Sequence, residues 1–182
     1  MSTPEQRNKL RLRVREIRKT KHIFIADFWN DGDYVGGCMA GGRVYMHITN
    51  MGDVEPCVFA HFAVDNINNK SLKNALNSDY FKAIRNAFPY NSNKNLLAPC
   101  MIIDNPQVLR GVNKQYGAKS TQPGGDAITT DPKIVRFLDD YSASWKKIVD
   151  PVWNNESEYQ KRKEYWFGVN GLNNPRPRKG KK

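Results

Sequence analysis

The chain has 182 residues and a formal charge of +11, enough length to bury one domain-sized core with a small appendage. Its charge sits at the ends: residues 1–21 carry eight Lys/Arg against two Glu, residues 176–182 carry five Lys/Arg, and residues 22–175 sum to zero. A neutral body with basic ends argues against a surface shaped for phosphate and reads as a solvated helix face plus a disordered tail. No apolar run approaches the roughly 20 residues that span a bilayer, and no hydrophobic signal region follows the basic N-terminus. No membrane association is expected, and the expected location is cytoplasmic. Three cysteines, odd in number and far apart, fit a reducing compartment better than a disulfide framework.

Thr3-Pro4-Glu5-Gln6 reads as a helix start, with Gln6 at the third helical position and Leu10, Val14 and Ile17 recurring at helical spacing up to Lys21. Ile23-Phe24-Ile25-Ala26-Asp27-Phe28 follows as a short apolar run of the kind buried strands show. Residues 1–30 therefore read as one helix–strand unit of an α/β layer. In Gly36-Gly37-Cys38-Met39-Ala40-Gly41-Gly42, four glycines let the backbone pass close to something bulky. No Lys-Ser/Thr follows and no strong helix opens, so phosphate binding of the P-loop kind is not supported.

Val44 to Thr49 alternates, with Val44, Met46 and Ile48 on one face, and Val54 to Phe59 returns after Asn50-Met51-Gly52-Asp53. This predicts a hairpin with Gly52 supplying a positive φ. Ser71 to Phe88 predicts one or two helices with Ser78 as an internal cap, and residues 105–116 a further short helix. Asp131-Pro132 opens the clearest helix, whose stripe of Ile134, Val135, Leu138, Tyr141, Trp145, Ile148 and Val149 ends before Pro151. Helices are expected over 126–170 and a basic disordered tail over 171–182.

The predicted hairpin brings Cys38 and Cys57 to one end of a ribbon, in the spacing Cys-x13-Gly-x4-Cys, while Cys100 comes from Ala98-Pro99-Cys100. Three such thiols suggest an iron–sulfur site with one iron left without cysteine. Two other readings stay open. Free cysteines are often small buried hydrophobes, and His61 could complete a Cys3His zinc set, although no close Cys-x-x-Cys pair is present. His47 reads as a strand surface residue and His22 as a helix-end residue.

The stretches Gly36-Gly37-Cys38, Arg43 to Ile48 and Gly52-Asp53-Val54-Glu55-Pro56-Cys57-Val58-Phe59 resemble the cluster-binding hairpin of the SPASM or Twitch auxiliary domain of radical S-adenosylmethionine enzymes. Leu97 to Pro106 is similar to the segment that returns another cysteine to that cluster. The likeness covers roughly residues 23–116. It implies an α+β fold: a small β-hairpin cluster-binding core over 31–125, packed with several helices and preceded by a leftover helix–strand unit of an α/β barrel over 1–30.

It also implies a 4Fe-4S cluster on Cys38, Cys57 and Cys100, with water, substrate or a side chain such as His61 or Asp104 on the remaining iron. The further cysteine block of a full SPASM domain is missing, as is the Cys-x-x-x-Cys-x-x-Cys of the catalytic barrel. S-adenosylmethionine therefore belongs only to a complete parent enzyme, with a barrel domain or subunit as possible partner and an unspecified substrate. The resemblance implies electron transfer or substrate anchoring, without catalysis by this chain alone. The alternative class is a non-enzymatic basic adaptor binding nucleic acid through its termini.

Overall fold

The computed structural model describes residues 1–168, and the basic tail expected over 171–182 lies outside the described residues. The first helix, α1 (Pro4–Thr20), opens on a reciprocal cap: the Thr3 hydroxyl accepts the Gln6 N–H, and the Gln6 side chain accepts the Thr3 N–H. Its inward face differs from the expected one. Val14 is buried, but Leu10 and Leu12 are exposed, and the residues turned to the protein are mainly arginines.

Arg7 lies 2.6 Å from Asp104, Arg11 donates to the Tyr159 hydroxyl at 2.8 Å, Arg15 lies 2.7 Å from Asp33, and Arg18 lies 2.7 Å from Asp31. The basic helix is therefore not a solvated face on its inner side. Its arginine stems cover apolar surface while their guanidinium groups find acceptors that are buried or, at Asp31, half-buried.

The strand expected over Ile23–Phe28 does not form. Residues 22–27 run without helix or strand, and Ile23, Phe24 and Phe28 stand exposed, Phe24 at 92%. No sheet edge is offered to this stretch, and Arg18 holds it instead by donating to the Ile25 carbonyl. A short helix, α2 (Gly32–Val35), follows and leads into the glycine-rich loop.

The predicted hairpin is present but short: β1 (His47–Ile48) pairs antiparallel with β2 (Val54–Glu55), with His47 opposite Glu55 and Ile48 opposite Val54. Gly52 adopts φ 88° in its turn, where a Cβ would lie 2.8 Å from the Asn66 side chain. A second antiparallel pair, β3 (Phe62–Ala63) with β4 (Lys119–Ser120), has no counterpart in the sequence reading. Two-residue strands 57 positions apart leave no periodic signal.

Ser71 and Ser78 cap α3 (Leu72–Leu76) and α4 (Asp79–Ala87), accepting the Asn74 and Phe81 N–H groups, so the expected internal cap divides the two helices. Then come α5 (Pro106–Tyr116), the single turn α6 (Ala127–Thr130), α7 (Pro132–Asn155) and α8 (Ser157–Phe167). Asp131 caps α7 as its sequence predicts, accepting from Lys133 and Ile134. The helix does not stop before Pro151; it continues through it. Proline removes one donor from the ladder, but Val149 before it and Trp153 after it are both fully buried, and that packing carries the helix onward.

Among the described residues the fold is thus α+β, mostly helical with two small antiparallel sheets. Helices α1, α5, α6 and α8 all pack on α7, and α4 packs on α5. Among the described residues no helix is long and apolar enough to cross a membrane.

The Arg7–Asp104 pair is almost wholly excluded from water. Removing one partner strands the other charge, so Arg7→Met or Asp104→Ala should cost about 3–5 kcal/mol in chemical denaturation. Arg13→Ala, which removes the exposed ion pair to Glu16, should change stability by less than about 1 kcal/mol.

Candidate metal centre

Cys38, Cys57 and Cys100 are free thiols, and all three line one cavity of about 490 Å³. The same cavity is lined by Ile23 to Trp29 and by Met39, Phe59 and Pro99. The apolar run with a strand's composition therefore shares the lining of the cavity with the cysteines. Trp29 stacks on Phe59 at 5.1 Å between ring centres, and Phe28 meets the same ring edge-on at 6.2 Å.

Each cysteine is fixed by a different device. Cys38 follows Gly37, which adopts φ 100° and lets the ring of Phe88 approach so closely that a Cβ would lie 2.5 Å from it. The bulky groups met by the glycine-rich loop are thus mainly aromatic and aliphatic side chains, with the Arg85 guanidinium beside Gly42. Arg43 turns back to donate to the Cys38 carbonyl while its guanidinium lies 3.5 Å above the Phe88 ring centre.

Cys57 lies two residues beyond β2, and the ladder register continued by two places puts Tyr45 opposite it. Side-chain contacts follow that register: His47 meets Glu55 at 2.6 Å, and the Tyr45 hydroxyl meets the Cys57 sulfur at 2.8 Å. Cys100 is held by Asp104, whose carboxylate accepts the Cys100 N–H at 3.0 Å. The Asp104 and Asn105 N–H groups both return to the Cys100 carbonyl, and the Ile102 N–H points at the Cys100 sulfur at 3.3 Å.

Burial and neighbouring charge perturb the Cys38 and Cys100 thiols. Burial pushes the Cys38 thiol up to about 11, with the charge of Cys57 adding to the rise. Burial likewise raises Cys100 well above the ordinary thiol range, aided by Asp104 and Cys38. Such thiols stay protonated and inert by themselves, and a bound metal that displaces the proton stabilises the thiolate.

Among the described residues, no three His, Cys, Asp or Glu side chains are grouped to hold a single metal ion, which leaves the Cys3His zinc reading without support. A polynuclear cluster is larger than one ion and takes thiols set further apart. The donors present fit it: three soft sulfurs, an N–H aimed at one of them, and a phenol on another. The Tyr90 hydroxyl is also buried without a hydrogen-bond partner among the described residues, close enough to all three cysteines to be influenced by them.

The two side chains considered for a remaining iron lie elsewhere. Asp104 is fully buried and already engaged by Arg7 and the Cys100 N–H, so its place is behind the cysteine rather than in the cavity. His61 directs its Nδ1 toward Glu55, 3.6 Å away, and is not part of the cavity wall. Sequence reasoning missed Tyr45, Tyr90, Trp29 and Phe59. Only Tyr45 left a usable signal, because a hairpin turning at Gly52 already pairs it with Cys57.

Residues 38–102 match the family model SPASM, described as an iron–sulfur cluster-binding domain. No curated protein and no solved structure matches the chain.

Gly37→Ala should destabilise the protein by about 1–3 kcal/mol, since it combines a disfavoured backbone conformation with a collision against Phe88. Gly111→Ala, in α5 with open space around it, should instead stabilise by about 0.5–1 kcal/mol. Paired denaturation curves of the two variants check these opposite signs.

Proposed function

We propose, from the match of residues 38–102 to the SPASM iron–sulfur cluster-binding family model, that the chain holds one auxiliary 4Fe-4S cluster on Cys38, Cys57 and Cys100, in the service of a radical S-adenosylmethionine enzyme. The observation that carries this reading is the convergence of three thiols, from three separate stretches of chain, on one cavity. When bound, such a cluster supplies one-electron transfer and, at an iron without thiolate, a position for a substrate heteroatom. The protein's own part is positional. Asp104 and Asn105 clamp the Cys100 turn, Arg43 clamps the Cys38 loop, and the hairpin register sets Cys57.

Between electron transfer and substrate anchoring, the wall of Ile23, Phe24, Phe28, Trp29 and Phe59 favours anchoring, because it gives the thiols a mostly apolar chamber larger than a water-filled crevice between side chains. Arg18, Asp27 and Asp31 mark its polar end, where Arg18 and Asp31 neutralise each other. The exposed rims of Phe24 and Phe28 are where a radical S-adenosylmethionine barrel, as a preceding domain or separate subunit, would bury apolar surface. Nucleic-acid binding through the N-terminal helix finds less support, since four of its arginines are committed to internal partners.

Anaerobic reconstitution of the chain with iron and sulfide tests the proposal. The wild type should hold about four iron and four acid-labile sulfide per chain, with brown charge-transfer absorption. Cys38→Ala, Cys57→Ala and Cys100→Ala should each lose most of both. A colourless wild type, or full loading in any of the three variants, would contradict the assignment.

A further inference from the structure

Tyr45 is the one side chain whose polar atom touches a cysteine sulfur of the candidate site, its hydroxyl lying 2.8 Å from Cys57 Sγ among the described hydrogen bonds. Two features hold it there. Its ring lines the cysteine cavity, and its N–H, like that of Val44, is bound to the Met39 carbonyl next to Cys38. The hairpin register then sets the phenol opposite Cys57, one cross-strand step from the His47–Glu55 pair. The contact thus lies just beyond the paired residues, with Tyr45 held by its N–H bond to Met39 and Cys57 by its bridge to Ala60.

In the metal-free chain either the phenol or the thiol could donate this hydrogen bond. A cysteine that ligates iron has lost its proton and can only accept. With a cluster bound, the phenol is the donor. A donor to a ligating sulfur draws electron density from it and stabilises the reduced, more negative state of the cluster over the oxidised one.

We propose that Tyr45 is a positioning residue that raises the reduction potential of the cluster by donating a hydrogen bond to Cys57. This rests on the reading that Cys57 ligates the cluster. Tyr45 does not itself bind iron, and Tyr45→Phe keeps the ring that walls the cavity while deleting only the donor. The effect belongs to one ligand of three, so it shifts the potential without abolishing loading.

The test is an anaerobic spectroelectrochemical titration of the reconstituted full chain, comparing wild type, Tyr45→Phe and Tyr116→Phe. Tyr116 is a phenol whose hydroxyl bonds Gln115 at the surface. Iron and sulfide content is measured first. Tyr45→Phe should load as fully as the wild type and show a more negative midpoint potential, while Tyr116→Phe matches the wild type. Equal loading with an unchanged potential overturns the inference and leaves cluster binding intact. Loss of the cluster in Tyr45→Phe also overturns it, because the phenol would then be needed to build the site. A wild type without iron and sulfide overturns the cluster reading, and this inference with it.

Discussion

The buried pair of Arg7 and Asp104 ties the N-terminal helix to the turn that presents Cys100, and the placement of the site depends on it. Asp104 faces two ways: it meets the Arg7 guanidinium at 2.6 Å and accepts the Cys100 N–H at 3.0 Å. Arg7 in turn lies 4.0 Å from the Trp145 ring centre and donates to Asn30 and the Trp29 carbonyl. Trp145 reaches the Leu97 carbonyl through its indole N–H, at 2.9 Å. One guanidinium thereby joins α1, α7, the wall residue Trp29 and the Leu97–Asp104 segment. A buried ion pair adds little net stability over a well-packed apolar replacement, but it accepts only one geometry, and here that geometry fixes a cysteine.

A different constraint sets the other two thiols. A short hairpin runs on to Tyr45 and Cys57, whose side chains meet just beyond its paired residues, and the loop from Gly36 to Arg43 passes Phe88 closely to bring Cys38 to the same cavity. Neither strand is long enough to be stable alone; the hairpin is supported by Val54, wholly buried, and by the Val54 N–H bond to the Asp65 carbonyl. The site is therefore assembled from tertiary packing around small pieces of regular structure.

That division explains what the sequence disclosed. The caps at Thr3, Ser78 and Asp131 are local, each satisfied within three residues, and so are readable, as is the Gly52 turn. The cysteine spacing carries a resemblance to the SPASM domain, whose family model matches residues 38–102. Hidden from the sequence were features decided at long range. The run Ile23–Phe28 has a strand's composition but no sheet partner; the arginines of α1 look solvated until acidic partners from residues 31, 33 and 104 are in place. Asp104, one of two side chains considered for the remaining iron, has a carboxylate engaged by Arg7 and by the Cys100 N–H, partners that sequence spacing does not reveal. Pro151 signalled a helix end that Trp153 overrides.

The central claim is that three thiols, held by an internal ion pair, a hairpin register and a glycine-rich loop, close on one iron–sulfur cluster behind a wall of aromatic side chains. Anomalous diffraction at the iron edge from crystals of the anaerobically reconstituted chain addresses it directly. The account predicts one compact iron peak within the cavity bounded by the sulfurs of Cys38, Cys57 and Cys100. Iron located anywhere else, or a peak contacting fewer than three of these sulfurs, would contradict it.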